Sequence, residues 1–238
     1  MKRFDIVTIF PEILESYFNE SLFKRAQKNK LFAVKTHNLR RWTTDRHQTV
    51  DAKPYGGGAG LLFKIEPIYK ALKAITKKQD TIIKKNNSNK KLQATSYKLK
   101  TRIILTAANG KRFTQKDAAR LAKYEQLVFV CPRYEGVDAR VEKLVDEKIS
   151  IGDYVLAGGE LPAAVIIEAV CRQLPGFVGK QESVEKESHA TVGYLEHPHY
   201  TRPEVFTVNG KKLRVPKVLL SGHHGAVEKW RQKKSKKQ

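Results

Sequence analysis

Short apolar runs alternate with amphipathic stretches from the first residues onward, and no other feature of the sequence constrains the fold as tightly. FDIVTIF, LFAVKTHNL, TRIILTA and QLVFVC have the length and the β-branched or aromatic content of buried strands, and a shorter one is expected from Lys148 to Ile151. Between them lie segments with apolar residues at helical spacing: EILESYFNESLFKRAQK after Pro11, EPIYKALKAI, TQKDAARLAKYE, VDARVEKLVDE and ELPAAVIIEAVCRQL. Strand followed by helix, repeated, predicts an α/β domain with a largely parallel sheet flanked by helices. This domain is expected to span residues 1–174, interrupted by a low-complexity basic insertion at 76–101. A polar, flexible linker is expected at 175–192, and a small basic domain at 193–238.

In parallel sheets, ligands gather at the C-terminal ends of the strands, where loops converge and helix N-termini point free N–H groups into the crevice. Three glycine-bearing loops follow strands here, TAANGKRF, CPRYEGVD and SIGDYVLAGGELP, and together they predict one composite pocket. Singly, each is an ordinary turn into a helix, and Asp138 alone reads as a first-turn carboxylate. The chain has no GxGxxG after its first strand, and Gly56 to Gly60 lack the Lys-Ser/Thr ending of a phosphate-cradling loop. Yet TTDRHQTVDAKPYGGGAGLL, within an aperiodic loop from Arg40 to Leu61, joins Asp45, Arg46, His47, Asp51, Lys53 and Tyr55 to those glycines. Cations, carboxylates and a stacking aromatic in one loop compose a nucleotide-facing surface.

Charge points the same way. Forty-six Lys and Arg against 24 Asp and Glu give a net charge of +22, the signature of a polyanionic partner. From Lys77 to Arg102 there are nine basic residues and one acid, and from Lys229 onward six basic residues and no acid. Both are charge runs, which either contact nucleic acid or serve solubility alone. The two cysteines, Cys131 and Cys171, have no metal-binding or disulfide spacing, and Cys131 ends an apolar run as a small buried hydrophobe would. No stretch has the ~18 apolar residues of a membrane span, and MKRFDIVTIFPE reads as a strand and not as a signal peptide, so a cytoplasmic location is expected.

IFPE, DRHQTVDAKPYGGGAG, CPRYEGVDAR, SIGDYVLAGGELPA, HPHYTRPEV and VPKVLLSGHHGAVEKWRQKKS resemble, in order, the successive motifs of the bacterial tRNA (guanine-N1)-methyltransferases. The resemblance spans nearly the whole chain except the lysine-rich insertion. It implies a SPOUT fold whose C-terminal part is threaded as a trefoil knot, a rare exception to unknotted topology. It implies a small, mainly helical C-terminal domain at 193–238 that binds tRNA, and a homodimer whose active site lies at the subunit interface. It also implies S-adenosylmethionine as methyl donor and N1 of guanosine 37, beside the anticodon, as acceptor. A catalytically inactive RNA-binding protein on the same fold is the alternative.

Carried onto this chain, the resemblance places the knot loops at Leu105 to Gly110, Pro132 to Gly136 and Ile151 to Gly159. The implied cofactor contacts are Thr106, Ala107, Pro132, Tyr134, Glu135, Ile151, Gly152, Asp153, Tyr154, Val155, Leu156, Gly158 and Gly159. Backbone groups of Ile151, Gly152, Tyr154 and Leu156 would hold the adenine edge, with Glu135 near the ribose. Pro132 stands where the family commonly has glycine and brings no N–H donor. The implied tRNA contacts are Asp51, Tyr55, Gly57, Gly58, His199 and Arg202.

Guanine N1 must lose a proton as the methyl group arrives, which asks for a carboxylate base, and charge developing on O6 asks for a cation. The family's aspartate base and its arginine match Glu187 and Arg172 here, with glutamate replacing aspartate and lengthening the side chain by one methylene. Glu182 and Glu185 lie close by as alternatives. The resemblance admits magnesium, although no ligand cluster for it is visible. HPHYTRPE is assigned to tRNA contact and packing, with no metal, because histidines at i and i+2 diverge on a helix.

Overall fold

A computed structural model of the chain describes residues 1–77, 100–179, 187–189, 191 and 193–237. Residues 78–99 of the expected insertion, and 180–186, 190 and 192 of the expected linker, lie outside them. The chain divides into two compact units, Met1–Gly179 and Lys180–Gln238.

The first unit is built on a five-stranded sheet of β1 (Lys2–Thr8), β2 (Phe32–Asn38), β5 (Thr101–Arg112), β6 (Gln126–Val130) and β7 (Glu147–Ser150). Its order is β2-β1-β6-β5-β7, and every pairing is parallel. Two short antiparallel strands, β3 (Asp51–Ala52) and β4 (Leu62–Phe63), sit apart from it. Successive side chains on a strand point to opposite faces, and the two cores follow from that alternation. Phe4, Ile6, Leu127 and Phe129 pack on one face with α1 (Glu15–Phe18), α2 (Ser21–Lys28), α4 (Gln115–Leu121) and α5 (Glu160–Arg172). Val7, Val128 and Val130 pack on the other with Ile68, Ala71, Leu72 and Ile75 of α3 (Ile65–Lys77).

Across the middle strands runs a polar network. The carboxylate of Asp5, fully buried, accepts hydrogen bonds from Arg3 Nη2 at 2.8 Å and Gln126 Nε2 at 2.7 Å, and pairs with His37 Nε2 at 2.6 Å. Burial raises the Asp5 pKa, but the bonds from His37, Arg3 and Gln126 outweigh it and hold the carboxyl below its usual value.

Three expectations need correction. The long helix after Pro11 is broken into a 3-10 turn at Pro11–Leu14, α1 and α2, because its apolar residues Leu14, Phe18, Phe23 and Ala26 slip phase between 18 and 23. VDARVEKLVDE is a 3-10 turn, Ala139–Leu144, whose capping Asp138 accepts from Arg140 N at 2.9 Å. The third is the boundary at 174: Phe177 is buried against Phe23 and Phe32, their ring centroids 5.3 and 5.9 Å away, so the first unit continues to Gly179.

The second unit, expected to be mainly helical, holds strands as well as helices. It combines α6 (Lys217–Leu220) and α7 (His224–Lys234) with a hairpin of β9 (Val205–Val208) and β10 (Lys211–Arg214), and a pairing of β8 (Tyr194–Leu195) with β11 (Lys236–Lys237). The hairpin was legible in Asn209-Gly210, both at positive φ, a pair that fits the tight turn between antiparallel strands.

Candidate functional site

The C-terminal ends of β5, β6 and β7 open onto one cavity of about 370 Å³. Each contributes its glycine-bearing loop, and each loop is shaped by a different local cause. β5 does not stop at the predicted turn: Thr106 and Lys111 both face Ile149 of β7, so residues 107–110 form an excursion within the strand. Gly110 permits the return, since a Cβ there would lie 2.7 Å from the backbone nitrogen and carbonyl carbon of Ile149.

Beyond β6, Tyr134 (φ 56°) and Gly136 (φ 107°) turn the chain back, and Gly136 N donates to the Arg133 carbonyl at 3.1 Å. Beyond β7, the Ser150 hydroxyl donates to the Gly152 carbonyl at 2.9 Å and accepts from Gly152 N at 3.2 Å, pinning the start of the loop. That loop ends at Gly159, whose N–H reaches the Pro132 carbonyl at 2.9 Å. A Cβ on Gly159 would come within 2.8 Å of Cys131 Cα and Pro132 Cδ, so glycine lets α5 begin directly against the end of β6.

Twelve residues expected to touch a cofactor line this cavity: Thr106, Ala107, Pro132, Tyr134, Glu135, Ile151, Gly152, Tyr154, Val155, Leu156, Gly158 and Gly159. Asp153, the thirteenth, does not line it; its carboxylate pairs with Arg112 at 3.4 Å on an exposed surface. Sequence reading missed the polar residues beside and beneath the loops. Arg133 Nε lies 3.0 Å from Oε2 of Glu160, a carboxylate only 1% exposed that also accepts from Thr8 Oγ1 at 2.5 Å, and the guanidinium sits 4.8 Å above the Phe10 ring. Glu160 opens α5, where the helix dipole favours an anion. The signal was available only in part: Arg133 and Glu160 fall at the edges of two glycine motifs, but nothing in their spacing shows that they pair. Lys148 and Glu142, paired at 2.7 Å, also line the cavity.

The loop from Arg40 to Leu61 is fastened to this region by backbone. Glu135 N donates to the Leu61 carbonyl at 3.1 Å and Phe63 N to the Gly136 carbonyl at 3.0 Å, and a Cβ on Gly60 would strike the Glu135 side chain. Asp51 belongs to β3 and is half-buried, whereas Tyr55 is fully exposed and Gly57 and Gly58 adopt φ of 84° and 120°. Bonds from the Thr49 hydroxyl and N–H hold the Asp45 carboxyl below its usual value. Arg140 does the same for Asp138, which falls to about 2, so Asp138 serves as cap and ion-pair partner. Cys131 and Cys171 are both buried free thiols, and burial pushes both thiol pKa values up.

Arg172 closes α5 in the first unit, half-buried. Glu187 is half-buried in the second unit, and Glu182 and Glu185 lie outside the described residues. In that unit His199 pairs with Glu196 at 2.8 Å, and Arg202 is exposed. No helix is long and apolar enough to cross a membrane among the described residues.

A model of the tRNA (Guanine-1)-methyltransferase TrmD family matches residues 1–238. The chain is 43% identical over 234 residues to a tRNA (guanine-N(1)-)-methyltransferase of Dehalococcoides mccartyi, covering 98% of this chain and 85% of the relative. Proteins of the same name from Dictyoglomus turgidum and Bacillus pumilus are each 44% identical, over 237 and 236 residues. Those alignments cover 100% and 99% of this chain, and 86% and 87% of the relatives.

Proposed function

The chain belongs to the tRNA (Guanine-1)-methyltransferase TrmD family, and from that premise we propose that it transfers a methyl group from S-adenosylmethionine to N1 of guanosine 37 in tRNA. The observation that carries the proposal is the convergence of three glycine-bearing loops on one cavity at the C-terminal edge of a parallel sheet. The cavity fits the group: its volume falls in the ~300–1,000 Å³ of small-molecule sites, and it mixes apolar walls (Leu105, Ile149, Leu156) with a carboxylate, Glu135, and closely approachable glycine backbone. When bound, S-adenosylmethionine supplies an electrophilic methyl group. We assign its adenine edge to the backbone of Ile151, Gly152, Tyr154 and Leu156 and its ribose to Glu135; Pro132 enters through its ring and carbonyl only. The loops carrying these residues are proposed to be threaded as the family's trefoil knot.

Glu187 is proposed as the base that removes the N1 proton, and Arg172 as the cation facing the charge that develops on O6. Asp51, Tyr55, Gly57, Gly58, His199 and Arg202 are proposed to hold the tRNA, and a cytoplasmic location follows from that substrate. Magnesium is given no ligand among the described residues. A second copy of the chain is proposed to cover the exposed apolar face formed by Leu161 and Val165 of α5 with Phe10, Ile13 and Tyr17, completing the active site at the interface. The Tyr17 hydroxyl donates to Glu168, which joins the Tyr17 segment to α5. An inactive RNA-binding role is not carried forward, since the relatives matched over nearly the whole chain are named as methyltransferases.

The test is mass spectrometry of a tRNA transcript carrying G at positions 36 and 37, incubated with the protein and S-adenosylmethionine. One methyl group at N1 of G37 is expected, with poor turnover of transcripts lacking G36. Methylation of a ribose oxygen or of another nucleotide overturns the proposal.

A further inference from the structure

Histidines two apart diverge on a helix, and on that ground HPHY reads as no metal site. The segment is not helical: it continues without regular structure from β8, with Pro198 between the two histidines. In an extended chain side chains at i and i+2 share a side, and a proline holds its own φ and biases the residue before it toward that conformation. The rings of His197 and His199 accordingly lie side by side, their centroids 4.6 Å apart. Glu196 folds its carboxylate onto the same side, Oε1 lying 2.8 Å from His199 Nε2. One donor atom from each of the three residues lies within 4.8 Å of the other two, the one such grouping among the described residues.

Other contacts hold the group in place. His197 meets Trp230 of α7 edge to face at 6.3 Å, and Tyr200 meets the same indole at 6.2 Å. Backbone N–H of Glu196 donates to Ser188 Oγ at 3.0 Å, and the preceding strand β8 pairs with β11. Two imidazoles and a carboxylate are therefore presented together by a backbone anchored on both sides.

We infer that Glu196, His197 and His199 form a binding site for one borderline divalent transition-metal ion, with zinc(II) as the reference case. Donors about 2.0–2.2 Å from a tetrahedral zinc lie roughly 3.4 Å from one another, so the three donors need to move by no more than about an ångström. The donor set selects the class of ion. Magnesium and calcium require oxygen ligands, and two imidazole nitrogens suit zinc, cobalt or nickel instead. Three protein ligands leave a fourth position to water. Binding replaces the Glu196–His199 contact with two metal–ligand bonds and fixes residues 196–199 against Trp230.

The inference does not rest on the methyl-transfer proposal, and its test needs no activity. The full chain, freed of metal by dialysis against a chelator, is titrated with cobalt(II) and followed by visible absorption, then with zinc(II) by calorimetry. One equivalent per chain is expected, with tetrahedral cobalt bands that zinc abolishes and an equal concentration of magnesium leaves unchanged. His197→Ala and His199→Ala should each weaken binding at least ~10-fold, the lower end of what disturbed ligand spheres lose. Glu196→Gln, which keeps the side-chain shape, should weaken it without altering the far-ultraviolet dichroism. His224→Ala, at the exposed start of α7, should leave the affinity where it was. Uptake by the native chain no greater than that of the His197→Ala/His199→Ala double variant overturns the inference, as does a site lost with His224→Ala.

Discussion

The two units are stabilised in different ways. The first buries whole aromatic and aliphatic side chains on both faces of its sheet, with Phe4, Ile6, Phe32, Leu127 and Phe129 fully removed from water. No described residue from 193 to 236 is buried; that unit is held by a hairpin, a two-residue strand pairing and the rings around Trp230. Burial of apolar area is the main favourable term in folding, at ~25 cal/mol per Å². The first unit therefore carries its cavity on a deeply buried frame, while the second is held by backbone pairing and ring contacts near its surface.

The largest effect should come from breaking the frame. Asp5→Ala strips the anion from the buried His37 and Gln126 and the half-buried Arg3 and should lower unfolding free energy by ~3–5 kcal/mol in urea denaturation, the scale of a buried ion pair deprived of one member. Because the folded-state pKa of Asp5 is lowered, its contribution is fully present above the unfolded value of ~3.9 and is lost as pH falls through the lower folded value. The native chain should thus show a steeper acid limb than Asp5→Ala, whose remaining limb comes from other carboxylates held below their usual values, such as Asp138 and Glu147. Equal losses of stability in Asp5→Ala and in Trp230→Ala would erase the contrast between the units.

Next in size is Glu187→Gln, which retains shape but cannot accept a proton. Single-turnover methylation should fall by ~100-fold, or ~2.7 kcal/mol, with cofactor affinity nearly unchanged. Glu187→Asp sharpens the result. If the segment around residue 187 has shifted to suit the longer acid, aspartate is slower than glutamate; if it has not, aspartate is faster. Full activity in Glu187→Gln would move the base to Glu182, Glu185 or Asp51.

A smaller effect should follow from Gly159→Ala. The added methyl group meets Cys131 Cα and Pro132 Cδ, both held by β6, so α5 must back away from the cavity floor. Cofactor affinity by calorimetry should drop by ~10-fold, and Gly179→Ala, with nothing within 4 Å of its Cβ and no left-handed backbone, should leave it almost untouched.

What the sequence disclosed and what it withheld divide along a physical line. A short apolar run rich in β-branched and aromatic residues is a local signal, so β1, β2 and β6 could be placed from FDIVTIF, LFAVKTHNL and QLVFVC within a residue or two. Glycine loops after strands marked the cavity, because a parallel sheet fixes where such loops go. Pairings between distant residues carry no local signal: Arg133 with Glu160, and Thr8 with Glu160 across 152 positions, follow only from the assembled sheet. The return of β5 onto Ile149 was missed because tertiary packing overrode a plausible turn, and the break between α1 and α2 because the phase slip between Phe18 and Phe23 passes for one continuous helix in the sequence. At HPHY the residues were noticed and the wrong backbone was assumed, which reversed the geometry of the two histidines.

The mildest expected effect tests whether the second unit's charge acts on RNA. Lys233, Lys234 and Lys236 are exposed at its end, and Lys211, Lys212 and Arg214 line the exposed strand β10 opposite Val208, Thr207 and Val205. Deleting the chain from Lys229 would remove half of α7 together with Trp230, so a drop in affinity could reflect unfolding of the unit. Replacing Lys233, Lys234 and Lys236 with Gln keeps the helix and removes only charge. Each phosphate left without its lysine should flatten the plot of log affinity against log salt by up to ~0.9, while G36 and G37 preference stays the same, because phosphates position the RNA and do not read it. Phe206→Ala separates the two ways of holding RNA. Its ring, 57% exposed on the hairpin, should contribute affinity by stacking on an unpaired base, so its removal should weaken binding by ~10-fold with the slope unchanged. An unaltered slope in the triple-lysine variant would assign those lysines to solubility and leave the hairpin as the unit's basic surface for RNA.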